Sequence, residues 1–286
     1  MTGIVDMNQY LSFREIDHHI SKCHTKGSKS IAIIPIGCTE QHGPFLPIET
    51  DTIIAQNISF ALSKKINQNY WSYVFPAISY TPTKSNLHYL GTVSVDEELL
   101  RNLVKQSCQC ILNSKFDAIV LLSGHAPADP SIREVSFNLV HNQYYSKKEV
   151  IKPVFVISLF ESRHIIEKTF QQKSGKHADW TELLYLFHIL GSKYFNDDKI
   201  NEIIKFKKQN TFEVRESLVF GVPVEQRSVQ GVIGEPTPAS AENWKVLGEI
   251  VWEKTVSHLA SLFEQNLNDY YKKDVLNAIK RSEAEN

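Results

Sequence analysis

Apolar residues fall in two patterns along the chain: short unbroken runs, and longer stretches in which they recur every three or four positions. The unbroken runs are Ser30–Ile36 (SIAIIPI), Tyr73–Ile78, Ala118–Ser123 (AIVLLS) and Val154–Ser158 (VFVIS). A strand that is apolar on both faces must be covered on both, which suits a parallel sheet held between helices. Helical patterns at Thr52–Gln68, Glu97–Asn113 and Ser131–Tyr144 separate the runs; Asp179–Leu190 and a long terminal helix over Ala241–Tyr270 follow. The order β-α-β-α-β-α-β predicts an α/β fold, a three-layer α/β/α sandwich with a mainly parallel central sheet. Phe206–Ser240 mixes charge, glycine and proline, which predicts loops and a small hairpin. Lys272–Asn286 is a polar tail expected to fray. With no internal repeat or low-complexity linker, residues 1–286 read as one domain.

Composition changes this picture little. The chain has 286 residues, 42% hydrophobic and 22% charged, an ordinary globular balance that allows a sizeable core. A net charge of −1 provides no field to recruit nucleic acid or an anionic membrane. No window of about 18 apolar residues is present to span a bilayer. Met1–Ile16 lacks the basic-then-apolar order of a secretion signal, so a cytoplasmic location is expected. Cys23, Cys38, Cys108 and Cys110 are too scattered for a disulfide framework and read as small buried residues in a reducing compartment.

The candidate chemistry lies where strands end, the edge at which open α/β sheets bind ligands. The first run leads into Gly37-Cys38-Thr39-Glu40-Gln41-His42-Gly43-Pro44, with Asp51 soon after, and the third ends in Ser123-Gly124-His125. Parallel neighbours bring these ends to one edge, so Glu40, His42, Asp51 and His125 can converge. Carboxylates and imidazoles are the ligands of zinc, manganese or iron, with no thiolate required. A further segment, His177-Ala178-Asp179-Trp180-Thr181-Glu182, places His177 before a helix and Glu182 on its first turn. Two open-sited metals sharing one carboxylate need about five or six protein ligands, which these segments supply.

Each residue also has a plainer reading. Asp51 can cap the following helix. Asp179 and Glu182 form a D-x-x-E capping pattern, and Glu49 can serve as first-turn charge. His125 alone reads as a hydrogen-bonded histidine, as do His18, His19, His24, His88, His141, His164, His188 and His258. Trp180 suits either a pocket wall or core packing. The metal reading rests on joint placement at the strand ends.

The run IPIGCTEQHGPFLPIETDT resembles the signature of the creatininase family, close to PxGSxEQHGPHLPLxTD, with its Glu-x-His pair and an aspartate nine residues after the histidine. Ordered along the chain, His88-Tyr89-Leu90-Gly91-Thr92, Ser123-Gly124-His125, His177 through Glu182, and Gly231-Val232-Ile233-Gly234-Glu235-Pro236 with Ala241-Glu242 resemble the family's later motifs. The resemblance implies an α/β/α fold, two divalent metal ions per chain (Zn, Mn or Fe) and a homo-oligomer. It also implies hydrolysis of non-peptide C–N bonds in small amides, formamides or cyclic amidines, and some relatives cleave a modified peptide. Carried over, Glu40 and His125 bind one metal and His42 the other, Asp51 bridges, Glu182 completes the second set, and His177 transfers a proton. Pro127 stands where creatininase has a ligating glutamate, which argues against creatinine as substrate, and Phe45 replaces a usual histidine. A dinuclear phosphoesterase would use similar ligands, but no arginine cluster accompanies them in the sequence. A non-catalytic binding or assembly protein on the same fold is the remaining alternative.

Overall fold

The computed structural model describes residues 10–66, 69–148, 150–206, 222–239 and 243–272. Three predicted strands form over their predicted lengths: β1 (Ser30–Ile36), β3 (Ala118–Ser123) and β4 (Val154–Ser158). The second strand, β2 (Trp71–Val74), is shorter and earlier than the predicted Tyr73–Ile78. Pro76 follows it, has no N–H to give the ladder and ends regular pairing. Beyond Val74 the chain meets β1 through the Phe75 N–H, which donates to the Ile33 carbonyl at 2.8 Å, and through the isolated bridge Ile36–Ile78. The sheet order is β2-β1-β3-β4, and every pairing is parallel. Ile36 lies opposite Ser123, and Ser123 opposite Ser158, so three strands finish level with one another.

Nine helices surround the sheet among the described residues. They are α1 (Phe13–Thr25), α2 (Thr50–Ile66), α3 (Glu97–Leu112), α4 (Asp129–Tyr145), α5 (Arg163–Phe170), α6 (Trp180–Tyr194), α7 (Asp197–Lys205), α8 (Val224–Arg227) and α9 (Trp244–Lys272). Sequence periodicity found α2, α3, α4, α6 and α9 but not α1, α5 or α7. In α1 Ile20 and Cys23 are buried and Ile16 packs beside them, a narrow stripe in an otherwise polar helix, and Ser12 and Glu15 form a capping box at its start. Helix α6 runs past the predicted Leu190 through a kink at Gly191. Between 222 and 239 the described chain holds α8 and a bridge from His177 to Ile233; residues 207–221 and 240 of the stretch expected to form loops and a small hairpin lie outside the described residues. Ala241, Glu242 and the predicted polar tail beyond residue 272 lie outside the described residues.

Alternation along β1 and β3 sorts the core into two layers. Ile31, Ile33, Val120 and Leu122 pack beneath α2, α6 and α9. Ala32, Ile34, Ile119 and Leu121 face α3, α4 and Ile20 of α1. The three-layer sandwich is therefore as predicted, and it leaves the C-terminal strand ends open. No helix among the described residues is long and apolar enough to cross a membrane.

At the opposite edge a single carboxylate ties the sheet together. Asp117 Oδ2 accepts hydrogen bonds from the Ser30 backbone N–H and hydroxyl, both at 2.8 Å, and from His24 Nε2 at 2.8 Å. Burial alone would raise this carboxyl; the Ser30 N–H, then His24, the Ser30 hydroxyl and Lys29, hold it below its ordinary range. Asp117→Ala should therefore cost about 2 kcal/mol in denaturant unfolding, the cost of stranding part-buried donors. A depressed native pKa stabilises above the unfolded value, so the wild-type advantage over this variant should be full at neutral pH. It should shrink as pH falls below about 4.

Candidate metal centre

The residues singled out at the strand ends meet in one place. β1 runs out through a loop carrying Glu40 and His42; Asp51 is the second residue of α2; His125 follows β3; His177 precedes α6 and Glu182 lies on its first turn. The start of α2 can reach the sheet edge because Gly37 and Gly124 have no side chains. A Cβ at Gly124 would lie 2.8 Å from the Asp51 carbonyl oxygen, and one at Gly37 would collide with the Thr52 backbone. Close backbone approach is the physical reason for glycine at both positions.

Asp51 sits between two imidazoles. Its Oδ1 is 3.2 Å from His42 Nε2, and its Oδ2 is 2.9 Å from His125 Nδ1 without an aligned hydrogen bond. His42 Nε2 also lies 3.8 Å from Glu182 Oε2 and 4.0 Å from Glu40 Oε1. Glu40 Oε1 is 3.6 Å from His125 Nδ1 and 3.4 Å from His177 Nδ1. Possible ligand atoms gather within 4.8 Å of one another in three overlapping sets: His42, Asp51 and Glu182; Glu40, His42 and His177; Cys38, Asp51 and His125.

Neighbouring groups fix these side chains. His42 Nδ1 lies 3.1 Å from the Glu40 carbonyl oxygen, and His125 Nε2 lies 3.0 Å from that of Pro82. A carbonyl only accepts, so those nitrogens carry the protons and the opposite nitrogen of each ring faces the carboxylates. Glu40 Oε2 accepts from Asn86 Nδ2 at 2.7 Å and from the Thr83 hydroxyl. The Gln41 amide donates to Asn86 Oδ1 at 2.7 Å and meets His177 Nε2 at 2.8 Å, while its oxygen accepts from the Gly43 N–H. Asp179 is the N-cap of α6 and accepts from the Thr181 N–H at 2.9 Å, so it takes the capping role and Glu182 turns inward.

His42 Nε2, Asp51 Oδ2 and Glu182 Oε2 are fully buried and make no hydrogen bond. Leaving one such atom unsatisfied is costly, and three in one cluster match the donor set of a cation. The charges lean the same way. Burial opposes a charge on His42, yet Asp51, Glu182 and Glu40 push its pKa up to about 10. Burial likewise disfavours charge on His125, but Asp51 and Cys38, with Glu40, hold it well above its ordinary value. Burial raises Glu182 well above the usual carboxylate range, and Asp179, Asp51 and Glu40 add to that against the pull of His42. The residues present fit a bound metal.

All six sequence candidates, Glu40, His42, Asp51, His125, His177 and Glu182, are thus brought together. Among the described residues no backbone N–H bonds the Asp51 carboxylate, so the capping alternative for Asp51 has no hydrogen bond behind it. Trp180 is fully buried, its indole N–H donating to the Lys173 carbonyl, which decides for core packing. Phe45 packs against the core, and Glu49 is exposed at the start of α2, outside the cluster. Sequence reasoning missed Cys38, read as filler although it lies two residues before Glu40, and the supports Thr83 and Asn86, which come from a loop with no motif. It also missed Arg227. A cavity of about 190 Å³ opens on Glu40, Asp51, His125, His177 and Glu182, and Arg227 and Lys176 line it too.

Known proteins share this fold. The family profile described as creatininase, creatinine amidohydrolase, matches residues 19–263. A mycofactocin precursor peptide peptidase of Mycobacterium ulcerans is 34% identical over 102 residues, 32% of this chain and 39% of that protein. The chain thus spans well under half of that relative's length in the match. A 2-amino-5-formylamino-6-ribosylaminopyrimidin-4(3H)-one 5'-monophosphate deformylase of Methanosphaera stadtmanae is 28% identical, covering 48% of this chain and 55% of its own. Among solved structures, a creatinine amidohydrolase (creatininase) superimposes with a TM-score of 0.72 at 18% identity, covering 90% of this chain and 95% of that one. Related creatininase structures are described as a manganese form and a zinc–zinc form. Profile, fold and the convergence of the motif residues lead to one conclusion: the chain belongs to the creatininase family.

Proposed function

We propose that this chain is a metal-dependent hydrolase that cleaves a non-peptide C–N bond in a small amide, formamide or cyclic amide. In this reading Glu40, His42, Asp51, His125 and Glu182 hold two divalent ions. The observation that carries it is the placement of Asp51, whose two oxygens face two different histidines while three buried atoms of the cluster, its own Oδ2 among them, lack any hydrogen bond. Asp51 then bridges, with His42 and Glu182 on one side and His125 and Glu40 on the other. Bound there, two such ions supply Lewis acidity and draw the pKa of water toward neutrality. The identity of the relatives supports hydrolysis, one being named a peptidase and another a deformylase. The small cavity favours a compact substrate over an extended peptide.

His177 supports a different role from the other histidines. Its side chain is 17% exposed, against 0% for His42 and 4% for His125, and it lines the cavity. Glu40 and Gln41 hold the ring at its two nitrogens. A histidine so placed reaches a substrate nitrogen from the rim and passes a proton to it as the C–N bond breaks. Its membership of a ligand set with Glu40 and His42 makes the division of roles a question for experiment.

Elemental analysis of protein purified without chelator should find two divalent ions per chain, and the finding of none after growth with zinc, manganese and iron would defeat the two-metal reading. Asp51→Asn should lose metal and activity together, because an amide offers a single neutral oxygen. Near-wild-type metal content and turnover would return Asp51 to helix capping, where asparagine serves equally well. His177→Ala should keep both ions and its fold while turnover of the amide or formamide identified by a substrate panel falls about 10²- to 10⁴-fold. Loss of an ion from that variant would make His177 a ligand instead.

A further inference from the structure

Arg227 is the last residue of α8, far along the chain from every metal-ligand candidate, yet it lines the cavity above them. Its backbone is anchored on both sides. The Ser228 N–H donates to the Val224 carbonyl at 2.8 Å, the Tyr89 hydroxyl donates to the Ser228 carbonyl at 2.6 Å, and Val224 and Ser228 are buried. The guanidinium is half-buried, and burial alone lowers its pKa.

A desolvated arginine normally meets a carboxylate, because the unpaired charge is costly. Among the described residues no hydrogen bond or ion pair engages Arg227, although Glu40, Asp51 and Glu182 line the same cavity. Glu225, two residues away, leaves its Oε2 buried and without a hydrogen bond and forms no ion pair with Arg227. Lys176 adds a second positive charge to the cavity lining. The carboxylates of this cavity gather around the histidines, and its arginine stands apart from them.

We propose that Arg227 is a specificity-determining residue that binds an anionic group, a carboxylate or a phosphate, on the part of the substrate that does not react. The inference rests on the metal-dependent amide hydrolase reading, which places the scissile bond at the carboxylate cluster. A planar guanidinium with parallel N–H donors is the side chain best matched to either anion. Substrates of this chain are then amides or formamides that carry a negative charge at a distance from the C–N bond, and their neutral counterparts are poor substrates.

The test uses matched hydroxamates, which chelate metal through one end, on the metal-loaded full chain. One member of each pair ends in a carboxylate and its twin in a carboxamide; a third series ends in a phosphonate, and all span several chain lengths. In wild type, at the best length, the charged compound should bind on the order of 10-fold more tightly than its carboxamide twin in calorimetry, the worth of a charge-assisted hydrogen-bonded contact. Arg227→Gln should erase that advantage while keeping metal content and carboxamide affinity unchanged, and Arg227→Lys should restore part of it. Whichever of carboxylate and phosphonate gains more names the anion. Equal binding of charged and neutral twins to wild type at every length overturns the inference, as does an advantage that survives in Arg227→Gln. If the carboxamide twins bind, a failure belongs to Arg227 alone; if no hydroxamate binds the loaded protein, the metal-hydrolase reading falls and takes this one with it.

Discussion

Glu40 and Asp51 are buried, Glu182 is largely so, and all three carboxylates lie within 4.0 Å of His42 Nε2; carboxylates so placed repel unless positive charge sits among them. Much else in the molecule answers to that constraint. His42 and His125 stand between the acids, each turned by a backbone carbonyl so that one ring nitrogen faces them. Thr83, Asn86 and Gln41 give up hydrogen bonds to hold Glu40 and His177 in place. Even so, three buried atoms have no hydrogen bond, which is the mark of a site shaped for cations more than for stability.

The sheet makes this crowding possible. Parallel pairing in register brings the ends of β1, β3 and β4 level, so the loops and helix starts that follow these strands share one edge. Two glycines then let the first turn of α2 settle against the strand ends, so that Asp51 arrives from a helix at the height of residues arriving from loops. Charge of one sign gathers around the histidines, and among the described residues the arginine that stands apart pairs with no acid.

Much of this was legible in the chain. Unbroken runs such as SIAIIPI and AIVLLS can be buried on both faces only in a covered parallel sheet, and they formed strands at their predicted limits. The ligand candidates were legible because they sit at the ends of those strands. What periodicity could not show follows from its own physics. Helix α1 leaves only a narrow stripe, Ile16, Ile20 and Cys23, in an otherwise polar run, and Pro76 shortened β2 by withholding one N–H. Thr83, Asn86 and Arg227 act through positions that only the folded chain brings together, and side chains of ordinary composition in loops carry no pattern to announce them. Asp179 and Glu182 illustrate the limit well: a D-x-x-E pattern predicts capping for both, whereas the structure divides the pair, one carboxylate capping and the other facing the histidines.

The clustered side chains come from four separate stretches of chain: the loop after β1, the first turn of α2, the end of β3, and the loop that leads into the first turn of α6. An ion gripped by His42 and Glu182 together would close a long loop of the unfolded chain, as a disulfide would, and the entropy it removes grows with the length enclosed. Binding energy at such a site is also folding energy. Activity and thermal endurance then share the same atoms. A change in ligand chosen to retune the reaction is felt throughout the sandwich, and the availability of metal in the surroundings sets how long the protein survives as well as how fast it works.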